Sequence, residues 1–304
     1  MKTIIPKPLK KGDRVAILSP AGIIKPQNVY RALPHLEEQG WDPYVCPNTL
    51  KRYGTFSGTP DQRYSDLEQA FLDPRTRAIL CSRGGYGVVH ILERLSKLDL
   101  RKDPKWVVGY SDISALHGLM ASQGIASIHA PMAKHVADHQ GADSDSRAIF
   151  DVLSGKGQRY EFEGHEFNRP GKVSGTLYGG NLAVLAGLIG TPYDILRPDT
   201  IMFIEDVAEP IYKIERMMYS LRLSGVLRRL KGLIVGKFTD YTPDVDNSTM
   251  EGMIQACVAP YDFPVIFSAP VGHVDHNVPL VEGVRVTIES SRDKAVIDQS
   301  ELKA

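Results

Sequence analysis

The chain has 304 residues, of which 42% are hydrophobic and 24% charged, enough for one large domain or two modest ones. Lysine plus arginine and aspartate plus glutamate both number 36, and this balance excludes a general attraction to nucleic acid or anionic lipid. The sequence has no apolar signal-peptide core and no stretch near the roughly 20 apolar residues of a membrane helix. Its cysteines, Cys46, Cys81 and Cys257, are far apart and odd in number, so we expect reduced thiols in a cytoplasmic protein.

The first half of the chain alternates short apolar segments with amphipathic ones. Strands are predicted at 14–20, 44–47, 77–82, 105–110 and 126–131. Helices are predicted between them, near 26–39, 60–73, 87–97, 112–122 and 145–154. Strands that are apolar throughout and separated by helices indicate a parallel sheet covered on both faces. We therefore expect a doubly wound α/β domain over residues 1–155.

The composition changes near residue 155, where a polar, glycine-rich stretch containing Pro170 indicates a boundary. Short strands are predicted beyond it, at 176–180, 200–206, 232–238, 265–270, 284–289 and 295–299. Two predicted helices, near 181–189 and 211–223, interrupt these strands. We expect a smaller, β-rich α/β domain over residues 170–304.

The strongest chemical signal is a serine between a strand and a helix. An apolar strand ends at Gly109 and Tyr110, Ser111 follows, and Asp112 opens an amphipathic helix. A serine in such a sharp turn stands above the carboxyl edge of the sheet, where free helix N–H groups stabilise negative charge. The turn does not match G-x-S-x-G, and by itself it fits either a nucleophile or a helix cap.

A second turn, at 83–87, carries the sequence Arg-Gly-Gly-Tyr-Gly between a strand and a helix. Glycines let backbone N–H groups approach a ligand closely, as in an anion hole or a phosphate cradle. The turn lacks the Lys-Ser/Thr ending of a P-loop and does not have G-x-G-x-x-G spacing. It fits an anion site and a tight strand-to-helix connection equally well.

Acids and histidines recur in the second half. Glu205, Asp206 and Glu209 follow an apolar strand, from where a carboxylate can reach a site or cap the next helix. His273 and His276 lie in a loop rich in glycine, proline and asparagine, where a histidine is either a base or ordinary surface. The H-x-x-H pair offers two metal ligands without a third at an obvious spacing.

Together these segments resemble the LD-carboxypeptidase family, which includes murein tetrapeptide carboxypeptidases and microcin C immunity peptidases. The resemblance is carried by R-G-G-Y-G at 83–87, G-Y-S-D at 109–112, E-D at 205–206 and G-H at 272–273. The stretches IHAPM at 128–132 and LYGGNLAVLAGLIGTPYD at 177–194 add to it, so that it covers nearly the whole chain.

The resemblance implies a serine peptidase with Ser111 as nucleophile, His273 as general base and Glu205 as the carboxylate that orients the histidine. His276 is the alternative base. His273 is preferred because it directly follows Gly272, as in the family's motif.

The family's oxyanion hole consists of backbone N–H groups from the glycine loop and from the residue after the nucleophile. In this chain these are Gly84 or Gly85, and Asp112. Arg83 is a candidate for binding a substrate carboxylate, because a guanidinium pairs well with carboxylates, although it fits a structural role equally.

The substrate that the resemblance implies is an amide between an L-centre and a terminal D-residue. The typical case is the murein tetrapeptide, which loses D-Ala, and we expect this reaction without cofactor or metal in a homodimer. The immunity branch instead cleaves a peptidyl-nucleotide amide in longer chains with extra aromatic loops. The compact chain, with tryptophan only at Trp41 and Trp106, favours the murein peptide.

Two interpretations from other classes stay open. One is a non-catalytic module that binds an anion with the glycine loop. The other is a metallohydrolase built on the pairs His135/His139 and His273/His276.

Overall fold

The computed structural model describes residues 2–243 and 249–303 and arranges them in two β-sheets with helices between the strands. The strands are β1 (Arg14–Leu18), β2 (Asp42–Val45), β3 (Thr76–Cys81), β4 (Trp106–Gly109), β5 (Ser127–His129), β6 (Gln158–Glu163), β7 (Gly171–Asn181), β8 (Thr200–Val207), β9 (Gly232–Thr239), β10 (Val265–Ile266), β11 (Leu280–Glu282), β12 (Arg285–Ser290) and β13 (Lys294–Gln299). The helices are α1 (Gln27–Tyr30), α2 (Leu33–Glu38), α3 (Pro60–Leu72), α4 (Leu92–Leu95), α5 (Ser114–Ser122), α6 (Ala133–Asp138), α7 (Ser144–Leu153), α8 (Leu182–Leu188), α9 (Ile211–Leu223) and α10 (Met250–Val258).

The first sheet has the strand order β11-β5-β4-β3-β1-β2, with β1 to β5 parallel. Successive residues of β1 pack on opposite faces, because Val15 and Ile17 join one apolar cluster while Ala16 and Leu18 join another. Both faces of the sheet are therefore covered, in keeping with the four consecutive buried apolar residues that follow Arg14 in β1. The doubly wound α/β prediction is confirmed.

The predicted helix at 26–39 is two short helices in the structure. Pro26 precedes α1, and Pro34 lies in the first turn of α2. A proline in a first helical turn costs no hydrogen bond, because that N–H has no partner inside the helix. The second proline therefore begins a new helix instead of extending the first.

The second sheet has the order β10-β9-β8-β7-β12-β13-β6, with β7 to β10 parallel and β12, β13 and β6 antiparallel. Helices α8, α9 and α10 contribute Leu185, Ile214 and Ile254 to the apolar cluster on one face. The expected β-rich α/β architecture is confirmed. Strand β6 lies inside the polar stretch that predicted a boundary, and Tyr160 and Phe162 alternate along it with exposed charged residues.

Strand β11 was not predicted, and it joins the first sheet although it comes from the second half of the chain. It pairs antiparallel with β5, Leu280 opposite His129 and Glu282 opposite Ser127. The preceding strand, β10, belongs to the second sheet, so the connection at 267–279 crosses from one sheet to the other. His273 lies on this crossing. The division into domains at 1–155 and 170–304 stays a prediction.

Within the described ranges, no helix has both the length and the apolar character needed to cross a bilayer. Cys46, Cys81 and Cys257 are unbridged and buried, as expected.

Candidate active site

Ser111 occupies a strained turn directly after β4. Its φ of 66° lies in the left-handed region, which is uncommon for a residue with a side chain, and such strained residues cluster at active sites. The glycine loop presses against this side chain: a Cβ added to Gly84 would lie 2.6 Å from Ser111 Cβ and 2.7 Å from its Oγ. Position 84 therefore requires glycine, and the loop backbone lies directly beside the serine hydroxyl.

Two buried polar side chains fix the glycine loop, and the sequence analysis did not predict either role. Asp112 Oδ2 accepts a hydrogen bond of 3.0 Å from the Val88 N–H, and burial raises the pKa of this carboxyl to about 6. Arg63 Nη1 donates bonds of 2.7 Å to the carbonyls of Pro20 and Gly87. The sequence did contain one indication that Arg63 is buried. It lies one helical turn before Leu67 on α3, on the face that the helix buries.

The peptide unit between Gly84 and Gly85 has a fixed direction. The Gly84 carbonyl accepts a hydrogen bond of 3.2 Å from the Gly22 N–H. The described residues contain no cis peptide bond, so the Gly85 N–H points away from Gly22. Among the described residues, 2–243 and 249–303, the N–H groups of Gly84 and Gly85 donate no hydrogen bond to another protein group.

Glu205 and His273 form a pair across 68 residues of sequence. Glu205 lies near the end of β8, is fully buried, and its Oε2 lies 2.8 Å from His273 Nδ1. Gly272 permits this approach, because its φ is 123° and an added Cβ would lie 2.9 Å from Glu205 Oε2. Burial lowers the pKa of His273, but the hydrogen bond and charge of Glu205, with the charges of Asp206 and Asp240, outweigh it and hold that pKa above 6.5.

Five of the predicted site residues line one cavity of about 360 Å³. Ser111, His273, Gly84, Gly85 and Arg83 all line it. Ser111 follows a strand of the first sheet, whereas His273 lies on the connection that crosses from the second sheet to the first. No hydrogen bond joins Ser111 Oγ to the imidazole in the part of the chain that the structure describes. Such bonds are often long in enzymes without substrate and tighten when it binds.

His276 lies elsewhere. Its Nδ1 is 2.8 Å from Asp145 Oδ1, its side chain is 60% exposed, and it lines a different cavity that does not include Ser111. His273, and not His276, therefore shares a cavity with Ser111.

The other two predicted acids, Asp206 within β8 and Glu209 after it, have structural partners. Asp206 accepts hydrogen bonds from the Ala183 N–H at the start of α8 and from the Asn181 amide, and burial raises its pKa to about 6. Glu209 pairs with Lys213 at 3.2 Å. Of the three predicted carboxylates, Glu205 is the one that contacts the histidine.

Two groups of side chains have metal-ligand spacing. His135, His139 and Asp143 lie in and beside the cavity wall, where His135 Nε2 is 2.8 Å from Asp143 Oδ2. A second, fully buried group consists of His117, His129 and Glu282. Each supplies two imidazoles and a carboxylate, a donor set that suits zinc. Neither includes Ser111, Glu205 or His273.

The chain is similar in sequence to known carboxypeptidases. Residues 15–130 match the family model of the LD-carboxypeptidase N-terminal domain, and residues 174–288 match that of the LD-carboxypeptidase C-terminal domain. A probable murein peptide carboxypeptidase of Bacillus subtilis is 30% identical, with 96% of this chain and 94% of the relative covered. A murein tetrapeptide carboxypeptidase of Pseudomonas aeruginosa is also 30% identical, with 92% and 94% covered.

Solved structures of other proteins have a similar fold. A muramoyltetrapeptide carboxypeptidase from Oxalobacter formigenes superposes with a TM-score of 0.85 at 26% identity, over 96% of this chain and 100% of that one. An MccF-like protein from Bacillus anthracis superposes with a TM-score of 0.86 at 24% identity, over 98% and 100%. The second likeness shows the fold alone.

Proposed function

The chain belongs to the LD-carboxypeptidase family, and from this premise we propose that it is a serine carboxypeptidase that releases the terminal D-alanine of murein tetrapeptide. The observation that carries the proposal is the contact of buried Glu205 with His273, which lines the same cavity as Ser111. We propose that these three residues form the catalytic triad. The proposed murein substrate is taken from the names of the relatives.

In the proposed reaction, Ser111 Oγ attacks the carbonyl carbon of the scissile amide while His273 Nε2 takes the hydroxyl proton. His273 Nδ1–H donates to Glu205 Oε2, and this fixes the tautomer and stabilises the imidazolium that forms. The imidazolium then gives its proton to the nitrogen of the leaving D-alanine, and the C–N bond breaks. Water, deprotonated by His273, hydrolyses the acyl-serine and restores the hydroxyl.

We propose that the Gly85 and Asp112 N–H groups stabilise the oxyanion. Gly85 is favoured over Gly84 because it is exposed and because its N–H points away from Gly22. Asp112 directly follows the nucleophile, and its side chain holds the glycine loop in place through Val88. One such donor contributes roughly 3–4 kcal/mol to stabilising the transition state in comparable enzymes.

Arg83 is our candidate for binding the terminal carboxylate of the substrate. It lines the cavity, and its Nη1 donates to the Ile23 carbonyl at 3.0 Å, which leaves other guanidinium N–H groups for a ligand. A cytoplasmic location and a homodimer also remain our proposals, from the family resemblance.

The pH dependence of turnover is expected to report His273. The base must be neutral, and its pKa lies above 6.5, so kcat/KM should rise with pH through an apparent pKa above 6.5 and then level off. The measurement is D-alanine release from about pH 5 to pH 9. A rate that falls as pH rises through this range would contradict a histidine base.

Stereochemistry tests the proposed function directly. We expect D-alanine release from L-Ala-γ-D-Glu-meso-diaminopimelate-D-Ala and about 100-fold slower release from the same peptide ending in L-Ala. Inverting the terminal centre misdirects its carboxylate, and an error of about 1 Å in attack geometry costs roughly 100-fold in rate. The measurement is free alanine over time, with the Ser111→Ala variant as blank.

The pentapeptide ending in D-Ala-D-Ala serves as a further control and should be a poor substrate, because its last bond joins two D-centres. Equal rates on the L and D tetrapeptides would exclude an LD-carboxypeptidase. Inactivity on both, together with cleavage of a peptidyl-nucleotide amide, would move the assignment to the immunity branch.

A further inference from the structure

A second cavity, of about 580 Å³, adjoins the active-site cavity. The two share Arg83 and Lys134 as lining residues, so they are neighbours at these side chains. The second cavity adds three further cations, which are Lys25, Lys51 and Arg52. Ile23, Ile24, Pro26 and Leu50 supply an apolar part of its wall.

The charges of this cavity are unbalanced, although lysine plus arginine and aspartate plus glutamate are equal over the whole chain. Its lining contains five cationic side chains and neither aspartate nor glutamate. Lys134 pairs with Asp138 at 2.6 Å. In the portion of the chain that the structure describes, Lys25, Lys51, Arg52 and Arg83 form no ion pair with a carboxylate. These four cations therefore face one space beside the active-site cavity without a counter-ion among the described residues.

The size and charge of the cavity exceed what the leaving group requires. D-alanine is small and carries a single carboxylate, for which Arg83 in the active-site cavity suffices. The acyl part of the tetrapeptide is larger. It carries two free carboxylates, one on the γ-linked D-glutamate and one at the far end of the diaminopimelate side chain, together with two ammonium groups, one at the amino terminus and one beside the diaminopimelate carboxylate. It also has aliphatic segments that suit an apolar wall.

We propose that the second cavity binds the acyl part of the substrate through its carboxylates, with Lys51 and Arg52 pairing with carboxylates upstream of the scissile bond. This inference rests on the proposed carboxypeptidase function and names the part of the substrate that the enzyme recognises. The acyl part stays attached to Ser111 after D-alanine leaves, so these contacts persist through both halves of the reaction.

The test combines a substrate change with a protein change. The two peptides are the tetrapeptide and its analogue in which the D-glutamate α-carboxylate is an amide. The variant is K51A/R52A. Two exposed ion pairs contribute up to about fivefold each to affinity, so we expect KM for the acidic tetrapeptide to rise roughly tenfold with kcat little changed. The variant should lose most of the preference of the wild type for the acidic peptide over the amide.

The chain offers a matched control in K10E/K11E. Lys10 and Lys11 are also adjacent and exposed, but they precede β1 and so lie at the edge of the first sheet opposite to the carboxyl ends of its strands. K51E/R52E changes the net charge by the same amount and should raise KM further, whereas K10E/K11E should leave KM within about twofold.

The outcomes separate this inference from the proposed function. D-alanine release by the wild type with equal KM for both peptides, or with KM unaffected by K51E/R52E, would overturn the inference and leave the carboxypeptidase intact. Absence of D-alanine release from either peptide would overturn the proposed function. Binding of both peptides to Ser111→Ala, measured by calorimetry, would then still decide the inference: a preference for the acidic peptide that K51A/R52A abolishes supports it, and equal affinity overturns it.

Discussion

Replacing Ser111 with alanine is expected to lower kcat by about 10⁴-fold or more while leaving the fold intact. Alanine removes the oxygen that attacks the carbonyl, and the oxyanion donors alone cannot supply a nucleophile. The side chain makes no hydrogen bond to His273, and the turn at φ 66° is held by its neighbours, so the substitution should not unfold the protein. The measurements are D-alanine release at saturating tetrapeptide and the midpoint of thermal unfolding.

His273→Ala should be equally damaging, and the double variant no worse than either single one, because the residues act as one unit. The matched control is His276→Ala, which removes an exposed histidine of the same loop and should keep kcat within about threefold. An inactive His276→Ala beside an active His273→Ala would show that the base is misassigned.

A fluorophosphonate probe adds a readout that does not depend on the substrate. The folded wild type should be labelled at Ser111, and the alanine variant should not. Lack of labelling in the folded wild type would favour an anion-binding module. Activity that disappears on chelation and returns only with zinc would favour a metallohydrolase.

The local parts of the site were predictable from the sequence because each follows an apolar strand. The turn at Ser111 comes directly after β4, and Glu205 ends the apolar run of β8, so both were recognisable as candidate groups at a sheet edge. His273 was found through its glycine neighbour. The family resemblance then gave these residues their expected roles. In the structure Ser111 and His273 line one cavity, and buried Glu205 contacts His273.

The interactions that join distant segments were not predictable in this way. The bond between Glu205 and His273 depends on a crossing from β10 to β11, and β11 is only three residues long. A strand of that length has no periodic pattern to recognise. The support of the glycine loop by Arg63 likewise depends on carbonyls of two separate loops.

The charge of the second cavity was even less predictable from the sequence. Its cations come from residues 25, 51, 52, 83 and 134, in three separate loops and at the start of one helix. In the sequence only Arg83 stood out among them, and the balanced total charge hides their convergence. Local patterns predict strands and turns, whereas a charged surface depends on which loops the topology brings to one edge.

Glu205→Gln is the second substitution with a large expected effect, a fall of about 10³- to 10⁴-fold in kcat. Glutamine has nearly the same shape, so the side chain still fits between β8 and Gly272. Its carboxamide carries no charge to stabilise the imidazolium, and its NH₂ group can turn toward His273 Nδ1 and stabilise the wrong tautomer. The fall in rate should therefore come from the state of the histidine and not from loss of structure.

The pH profile distinguishes this cause from simple damage to the fold. The hydrogen bond and charge of Glu205 are the main contributions that raise the pKa of His273, whereas burial lowers it. Without the negative charge, the remaining activity should rise with pH through an apparent pKa lower than that of the wild type. Glu205→Asp keeps the charge and should keep the position of this rise closer to that of the wild type.

The matched control is Glu209→Gln, which removes a carboxylate four residues further along whose partner is Lys213 and not a histidine. It should leave kcat within about twofold and the pH profile unmoved. Thermal unfolding of each variant checks the fold, since Glu205 is fully buried. A folded Glu205→Gln enzyme that retains more than a tenth of wild-type kcat, or whose pH profile does not shift, would remove Glu205 from the proposed triad and leave Ser111 and His273 to act as a pair.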